Sequence, residues 1–168
     1  MEYHYAVCPS PIGEIHILAS TRGVRAIGVG ESRDEFYARH RQLKAETWCA
    51  VDGNHSLIGK VISSLNAYFE SGVPFPEDIP LDLSGSPFQQ KVWSALHVIP
   101  HGKTYSYGEI AAQVGSPKAA RAVGSACGAN PIPLLVPCHR VITSDGRLGG
   151  YGGGLHIKRK LLDLESSK

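Results

Sequence analysis

The sequence predicts an α+β protein. A small N-terminal α/β domain, made of an antiparallel sheet and a helix, precedes a mostly helical C-terminal domain with a helix-turn-helix and an active-site loop. Three observations predict this fold class: short β-prone runs open the chain, a stretch of helical periodicity follows, and segments with helix-start signals occupy the second half. A chain of 168 residues is long enough for two small domains.

The first domain is predicted to begin as an antiparallel meander. Residues 3–7, 14–19 and 24–29 are short β-prone runs separated by turn-forming segments. Residues 31–53 are polar and only weakly periodic. Apolar side chains then recur at helical spacing over residues 57–69, which predicts a helix that covers one face of the sheet.

A proline-rich segment separates the two predicted domains. Residues 73–80 contain three prolines, which cannot continue a helix and favour a linker. The boundary is placed at about residue 84, which gives domains 1–84 and 85–168. Directly after the boundary, Ser86 and Pro87 supply an N-cap and a first-turn proline for a helix.

Two short helices joined by a tight turn are predicted next. Ser106 caps the first helix and Gly115 closes it, while a Ser-Pro pair opens the second, over residues 116–127. The second helix consists almost entirely of small residues around Arg121. Two interpretations stay open: a helix packed tightly in the core, or the recognition helix of a helix-turn-helix that approaches DNA through its small face.

Composition and charge limit the functional classes. No apolar run approaches the roughly 20 residues that cross a bilayer, and the first residues lack the features of a signal peptide, so we expect a cytoplasmic protein. Residues 1–85 hold 7 Lys/Arg against 11 Asp/Glu, a net −4, whereas residues 86–168 hold 10 against 4, a net +6. The basic half is the expected site for a polyanion, although a solvated basic surface is the alternative.

Cys138 is the candidate for chemistry. It follows an apolar run, residues 134–136, that predicts a short buried strand, and it precedes a β-prone run over residues 141–143. A thiol becomes a good nucleophile when a cation, a base or backbone dipoles favour its thiolate, and His139 and Arg140 offer a base and a charge beside it. The other cysteines lack such neighbours and are interpreted as structural.

The segment Pro137-Cys138-His139-Arg140-Val141 resembles the active-site signature of the O6-alkylguanine-DNA alkyltransferases, also called methylated-DNA–protein-cysteine methyltransferases. The similarity covers residues 84–165 with the family's spacing, whereas the first half matches only in general character. It is carried by Phe88-Gln89-Gln90, Tyr105-Ser106-Tyr107, Arg121-Ala122-Val123-Gly124, Asn130-Pro131, Tyr151-Gly152-Gly153 and Glu165. The family's first domain is a ribonuclease-H-like support domain.

The resemblance implies a DNA repair protein that removes alkyl groups from O6 of guanine, and from O4 of thymine, in one irreversible turnover. Cys138 would attack the alkyl carbon of a flipped base and keep the group as a thioether, without a cofactor. His139 would act as the base through a water molecule, and Glu165 would orient it. Tyr107 would donate a proton and rotate a phosphate, and Asn130 would brace the active-site hinge. The alternatives are a solvated Glu165 and a structural Tyr107.

The resemblance also implies the DNA contacts. Arg121 would replace the extruded base in the stack, since its planar guanidinium can both stack and donate hydrogen bonds. The other residues expected at the DNA are Ser106, Tyr107, Lys118, Ala120, Ala122 and Gly124. The expected guanine pocket is formed by Pro133, Val141, Tyr151, Gly152 and Gly153. The expected partner is double-stranded DNA bearing O6-alkylguanine, bound by a monomer in the minor groove with little sequence specificity; cooperativity along DNA stays open.

Two departures from the family pattern lead to further expectations. Animal members bind zinc through a spacing that Cys8, Cys49, His4 and His16 do not reproduce, so we expect no metal. The glycine-rich segment of residues 149–153 predicts a roomy pocket that accepts bulky adducts as well as methyl.

Two rival functions remain at this stage. A non-catalytic lesion-binding protein would lack the acceptor cysteine, so the presence of Cys138 argues against it. A cysteine hydrolase would use Cys138 and His139, but adjacent residues on an extended loop usually point in different directions, and no oxyanion-hole motif is evident.

Overall fold

The computed structural model describes residues 1–166. The chain divides into two compact units, one spanning Met1–Leu83 and the other beginning at Ser84. The predicted α+β class is confirmed, because the first unit holds a sheet with helices and the second is mostly helical. Within the described residues, we find no helix that is long and apolar enough to cross a membrane.

A four-stranded sheet forms the centre of the first unit. Strands β1 (Tyr3–Cys8), β2 (Ile15–Ser20) and β3 (Gly23–Val29) form the predicted antiparallel meander. A short fourth strand, β4 (Trp48–Ala50), adds to the edge at β1 in parallel, so the order is β3-β2-β1-β4. The sheet is therefore not antiparallel throughout. The sequence did not predict β4, which has only three residues and pairs with a distant strand.

Two helices accompany this sheet. Helix α1 (Arg33–Arg39) lies within the weakly periodic residues 31–53, and a capping box between Ser32 and Glu35 starts it. Helix α2 (Ser56–Ser71) confirms the predicted helix and ends at Gly72 in the left-handed conformation. Of its apolar side chains, Ile58, Val61, Leu65 and Tyr68 are buried, whereas Leu57, Ile62 and Phe69 are only partly buried.

The three-proline segment is not a free linker at its end, because hydrogen bonds attach it to the edge of the sheet at β3. The Val24 amide donates to the Pro80 carbonyl at 2.8 Å, and the Asp82 amide donates to the Val24 carbonyl at 2.8 Å. The approach requires glycine at position 23, because a Cβ there would lie 2.5 Å from the Pro80 carbonyl oxygen. Asp82 is buried and accepts a hydrogen bond from Ser20 at 2.6 Å.

The second unit contains four helices among its described residues. They are α3 (Pro87–His97), α4 (Tyr107–Gln113), α5 (Ala120–Gly128) and α6 (Leu155–Ser166). Capping boxes at Ser86 and Ser106 start α3 and α4 as predicted. Strands β5 (Tyr105–Ser106) and β6 (Val141–Ile142) pair in parallel. Buried Trp93 donates its indole N–H to the Ala126 carbonyl at 2.9 Å and thereby fixes α5 against α3.

Two local predictions in this unit are wrong. Helix α5 starts at Ala120, because the Ser116-Pro117 pair belongs to a turn closed by a hydrogen bond from the Ala119 amide to the Ser116 carbonyl. Residues 134–136 form a turn instead of a strand, and Leu134 has a φ of 74°. Prolines on both sides remove backbone donors that a strand would need, and the Val136 amide bonds within the turn to the Ile132 carbonyl.

Candidate active site

Cys138 lies at a cavity of about 610 Å³ in the second unit. It starts a 3-10 turn, Cys138–Arg140, directly before β6, and only 7% of its surface is exposed. Helix α5 and the glycine-rich segment contribute most of the walls. The lining residues are Tyr107, Ala120, Arg121, Gly124, Ser125, Cys127, Gly128, Cys138, Gly150, Tyr151 and Gly152.

The surroundings of Cys138 favour a protonated thiol at rest. Burial raises its pKa, while a hydrogen bond with the Asn130 side chain, the charge of Lys158 and a backbone hydrogen bond oppose that rise. Asn130 is itself buried and holds the loop that follows it: its amide donates to the Val136 carbonyl at 2.8 Å and its oxygen accepts from the Ile132 amide at 2.9 Å. The thiol therefore needs a base when it reacts.

Three buried charged or titratable side chains form a network behind the thiol. His139 Nε2 lies 2.7 Å from Glu165 Oε1, and Arg140 reaches both carboxylate oxygens of Glu165 at 2.9 Å. Arg140 also donates to the Ile99 carbonyl at 2.7 Å. Glu165 is 2% exposed, which rules out the alternative of a solvated helix residue. Burial alone would raise its pKa, but the hydrogen bonds from His139 and Arg140 lower it well below its usual range.

This network determines the state of the imidazole. Because Glu165 is ionised, it can only accept, so Nε2 of His139 carries the proton that it donates. Burial lowers the pKa of His139, which keeps the ring neutral near pH 7. Its Nδ1 is buried and has no hydrogen-bond partner within residues 1–166. His139 therefore presents a basic nitrogen, as a general base requires.

Arg140 does not supply the positive charge that favours the thiolate of Cys138. The sequence placed its charge beside Cys138, but its guanidinium is engaged by the Glu165 carboxylate. The charge that acts on Cys138 comes from Lys158 of α6, which is fully buried. Its ammonium donates to the carbonyls of Val141 at 2.6 Å, Gly150 at 3.1 Å and Leu148.

Sequence reasoning missed Lys158, although a signal was available. Lysine is usually read as a solvated helix residue. Lys158, Leu161 and Glu165 follow one another at intervals of three and four, which places them on one face of α6. A predicted catalytic glutamate on that face implied that the face was buried.

Tyr107 closes the cavity from the start of α4. Its hydroxyl has a hydrogen bond with the backbone of Gly150, and burial raises its pKa, so the phenol stays protonated. Gly149 packs directly on it, because a Cβ at that position would lie 2.6 Å from the Tyr107 hydroxyl oxygen. The hydroxyl of Tyr151 is buried, and among residues 1–166 it has no hydrogen-bond partner.

The cavity brings together about half of the residues predicted for the site. Of the predicted DNA-contacting and pocket residues, those that line it are Tyr107, Ala120, Arg121, Gly124, Tyr151 and Gly152. Others lie outside the lining: Ser106, Lys118, Ala122, Pro133, Val141 and Gly153. Val141 is fully buried and contributes its carbonyl to Lys158. Cys127, interpreted as structural, instead lines the cavity on the same face of α5 as Ala120 and Gly124.

The surface of the second unit carries the positive charge expected from the sequence. Arg121 is exposed at the cavity. The other exposed basic side chains are Lys91, Lys103, Lys118, Arg147, Arg159 and Lys160. Within the described part of the chain, we find no group of three His, Cys, Asp or Glu side chains placed to hold a metal ion.

Comparison with known proteins identifies both halves of the chain. Residues 3–83 match the family model for the ribonuclease-like domain of 6-O-methylguanine DNA methyltransferase, and residues 87–167 match that for its DNA binding domain. The methylated-DNA–protein-cysteine methyltransferase of Mycobacterium tuberculosis is 46% identical over 165 residues, which cover 98% of this chain and 93% of the relative. That of Haemophilus influenzae is 39% identical, covering 96% and 86%.

Solved structures agree with this result. The crystal structure of M. tuberculosis O6-methylguanine methyltransferase has a TM-score of 0.83 at 45% identity and covers 98% of this chain and 93% of that one. The crystal structure of M. tuberculosis OGT in complex with DNA has a TM-score of 0.81 at 43% identity, covering 99% and 94%. With both domains and nearly its whole length matched, this chain belongs to the 6-O-methylguanine DNA methyltransferase family.

Proposed function

We propose that this protein repairs DNA by moving an alkyl group from O6 of guanine to its own Cys138. The observation that carries the proposal is a cysteine at the wall of a cavity of about 610 Å³, with the neutral imidazole of His139 and the ionised Glu165 buried beside it. Its relatives are named as methyltransferases that act on methylated DNA and on a protein cysteine.

The reaction proposed for the site is an in-line displacement. The Cys138 sulfur attacks the alkyl carbon, a C–S bond forms, and the bond from that carbon to O6 breaks, with its electron pair returning to the guanine ring. The thiol proton passes toward Nδ1 of His139, and Tyr107 supplies a proton to the ring, so guanine is restored neutral. The thioether has no route back to the thiol, which limits each molecule to one turnover.

The depth of the thiol supports base flipping. The sulfur of a cysteine that is only 7% exposed cannot reach a base inside a duplex, so the guanine must leave the stack to enter the cavity. Arg121 is exposed on α5 at the cavity and is the side chain proposed to fill the gap. The small residues of α5 suit close approach to the minor groove without sequence reading. We place the activity in the cytoplasm, where a monomer binds the lesion.

Mass spectrometry of the digested protein tests the acceptor. After incubation with duplex DNA that contains O6-methylguanine, the Cys138 peptide should gain one methyl group and the Cys127 peptide none. The comparison is demanding, because both cysteines line the same cavity. Cys138→Ser should take up no methyl group while it still binds the DNA. A methyl group on Cys127, or an unmodified Cys138 peptide, would contradict the proposal.

A pair of substrates tests the flipping role of Arg121. Arg121→Ala should slow transfer from duplex DNA by more than tenfold, but it should leave the reaction with free O6-benzylguanine within a few-fold of the unmodified protein. Lys160→Ala, an exposed cation on α6, is the matched control for loss of one charge. If Arg121→Ala slowed both reactions equally, the arginine would act on the chemistry and not on extrusion.

The same free base tests the width of the pocket. The glycine-rich segment and a volume of about 610 Å³ support acceptance of bulky O6 groups. We expect O6-benzylguanine and O6-methylguanine to inactivate the protein at comparable rates. Failure of the benzyl compound at high concentration would show that the rim is narrower than proposed.

A further inference from the structure

Lys158 carries a buried charge for which the described residues offer no carboxylate partner. Its side chain is fully buried, and its ammonium has three acceptors, the carbonyls of Val141, Leu148 and Gly150. These acceptors satisfy its three donors, but carbonyls carry no net charge. Burying a cation without a counter-ion costs stability, which suggests that Lys158 serves a function at this position.

The other buried cation of the site is neutralised. Arg140 pairs with Glu165, and that carboxylate is shared with His139. Both carboxylate oxygens of Glu165 are thereby engaged in hydrogen bonds. The groups that face Lys158 from the elements packed around it are Cys138 of the 3-10 turn, Cys127 of α5 and the ring of Tyr107 of α4, whose centroid is 5.9 Å from the ammonium nitrogen.

The hydrogen bonds of Lys158 also fix the shape of the cavity. Val141 follows the Cys138–Arg140 turn directly, and Gly150 lines the cavity. One ammonium on α6 thus connects the strand that follows the thiol to the glycine-rich segment that contributes Gly150 to the cavity wall. Because α6 also carries Glu165, the same helix holds the proton relay and the cation in a fixed relation.

We infer that Lys158 is a positioning residue for alkyl transfer, whose charge is neutralised when Cys138 ionises and whose hydrogen bonds hold the cavity wall around the thiol. The inference rests on the proposed function of Cys138. In this role Lys158 touches neither the alkyl group nor the guanine; it acts through the sulfur and the loop. A thiolate at Cys138 supplies the negative charge that the resting site lacks.

Three substitutions separate charge from hydrogen bonding. Lys158→Gln keeps two donors but removes the charge, Lys158→Arg keeps the charge, and Lys158→Met removes both. Lys160→Met, an exposed position on the same helix, is the matched control. Single-turnover rates of methyl transfer are measured against pH with a saturating duplex that contains O6-methylguanine, after urea unfolding has verified that each variant is folded.

Lys158→Gln should transfer at least tenfold more slowly near neutral pH, and its rate should rise with pH along a curve displaced to higher pH, since about one pKa unit corresponds to a tenfold change in thiolate. Lys158→Arg should recover most of the rate, and Lys160→Met should match the unmodified protein. If Lys158→Met fails to fold, the Gln and Arg variants still decide the question.

Two results overturn the inference in distinguishable ways. If the unmodified protein methylates Cys138, but Lys158→Gln shows the same rate and the same pH curve, Lys158 is a structural tether only. If the unmodified protein leaves the Cys138 peptide without a methyl group, the proposed function fails and the inference fails with it.

Discussion

Replacing Arg140 by methionine should lower the free energy of unfolding, because it breaks the buried network. Arg140 is 6% exposed, and it makes two hydrogen bonds of 2.9 Å to Glu165 and one of 2.7 Å to the Ile99 carbonyl. Its removal leaves a carboxylate that is 2% exposed without its fixed cation. Breaking a buried ion pair typically costs about 3–5 kcal/mol, against a total stability of about 5–15 kcal/mol for a typical domain.

The pH dependence of this loss follows from the sign of the shift. The pKa of Glu165 is lowered in the folded protein, so its network adds stability above the ordinary value of 4.5 and loses it as the pH falls further. Without Arg140 the pKa of Glu165 is lowered less, because the hydrogen bonds and the charge of the guanidinium are lost. The difference in unfolding free energy between Arg140→Met and the unmodified protein should therefore be largest near neutral pH and shrink below pH 4.5.

Urea unfolding of a double-mutant cycle measures the pair directly. Glu165→Leu should also destabilise the protein, since it leaves the buried Arg140 without its carboxylate. The double variant should lose less unfolding free energy than the sum of the two single losses, by about 2 kcal/mol or more. Arg147→Met, which breaks an exposed ion pair with Asp145, is the control and should change stability by less than about 0.5 kcal/mol. A loss below about 1 kcal/mol for Arg140→Met, or a cycle that is additive, would refute the reasoning.

Three further predictions concern other parts of the chain. Burial lowers the pKa of His40 from 6.5 to about 4, so protons favour the unfolded state and about 3 kcal/mol of stability should be lost as the pH falls through that window; His40→Gln should flatten this limb in urea unfolding against pH. Gly149→Ala should displace the Tyr107 hydroxyl and slow methyl transfer at least tenfold, whereas Gly53→Ala, whose added Cβ meets nothing within 4 Å, should not. Trp93→Phe should lose the buried indole hydrogen bond and about 1–2 kcal/mol in unfolding free energy, and an unchanged midpoint would contradict that role.

Local signals explain what the sequence predicted well. The Ser86 and Ser106 caps lie within three residues of the amides that they bind, so each helix start could be recognised from one short segment. The capping box of Ser32 and Glu35 carries the same signal, and weak periodicity in the seven-residue helix α1 obscured it. These features need no knowledge of the rest of the chain.

Features that depend on distant partners could not be predicted in the same way. Strand β4 exists because Trp48 pairs with Tyr3, 45 positions earlier along the chain. The turn that includes Leu134 is closed by the hydrogen bond from the Val136 amide to the Ile132 carbonyl, and nothing in an apolar run signals a positive φ. The resemblance supplied Cys138, His139 and Glu165, but the partners of Arg140 and Lys158 could be identified only from the structure.

The two cysteines of the cavity differ in the groups that surround their thiols. Burial raises the pKa of Cys127 to about 12, with a contribution from Cys138, and the charge of Lys158 opposes that rise only weakly. Burial raises the pKa of Cys138 as well, but this thiol also has a hydrogen bond with Asn130. His139, whose Nδ1 has no hydrogen-bond partner among residues 1–166, follows it directly in the chain. Burial therefore protects both thiols from stray electrophiles at rest, because the neutral thiol reacts poorly. On the proposed mechanism, proton removal makes only Cys138 reactive. The thiol, which each molecule can use once, therefore reacts with the lesion and not with other electrophiles.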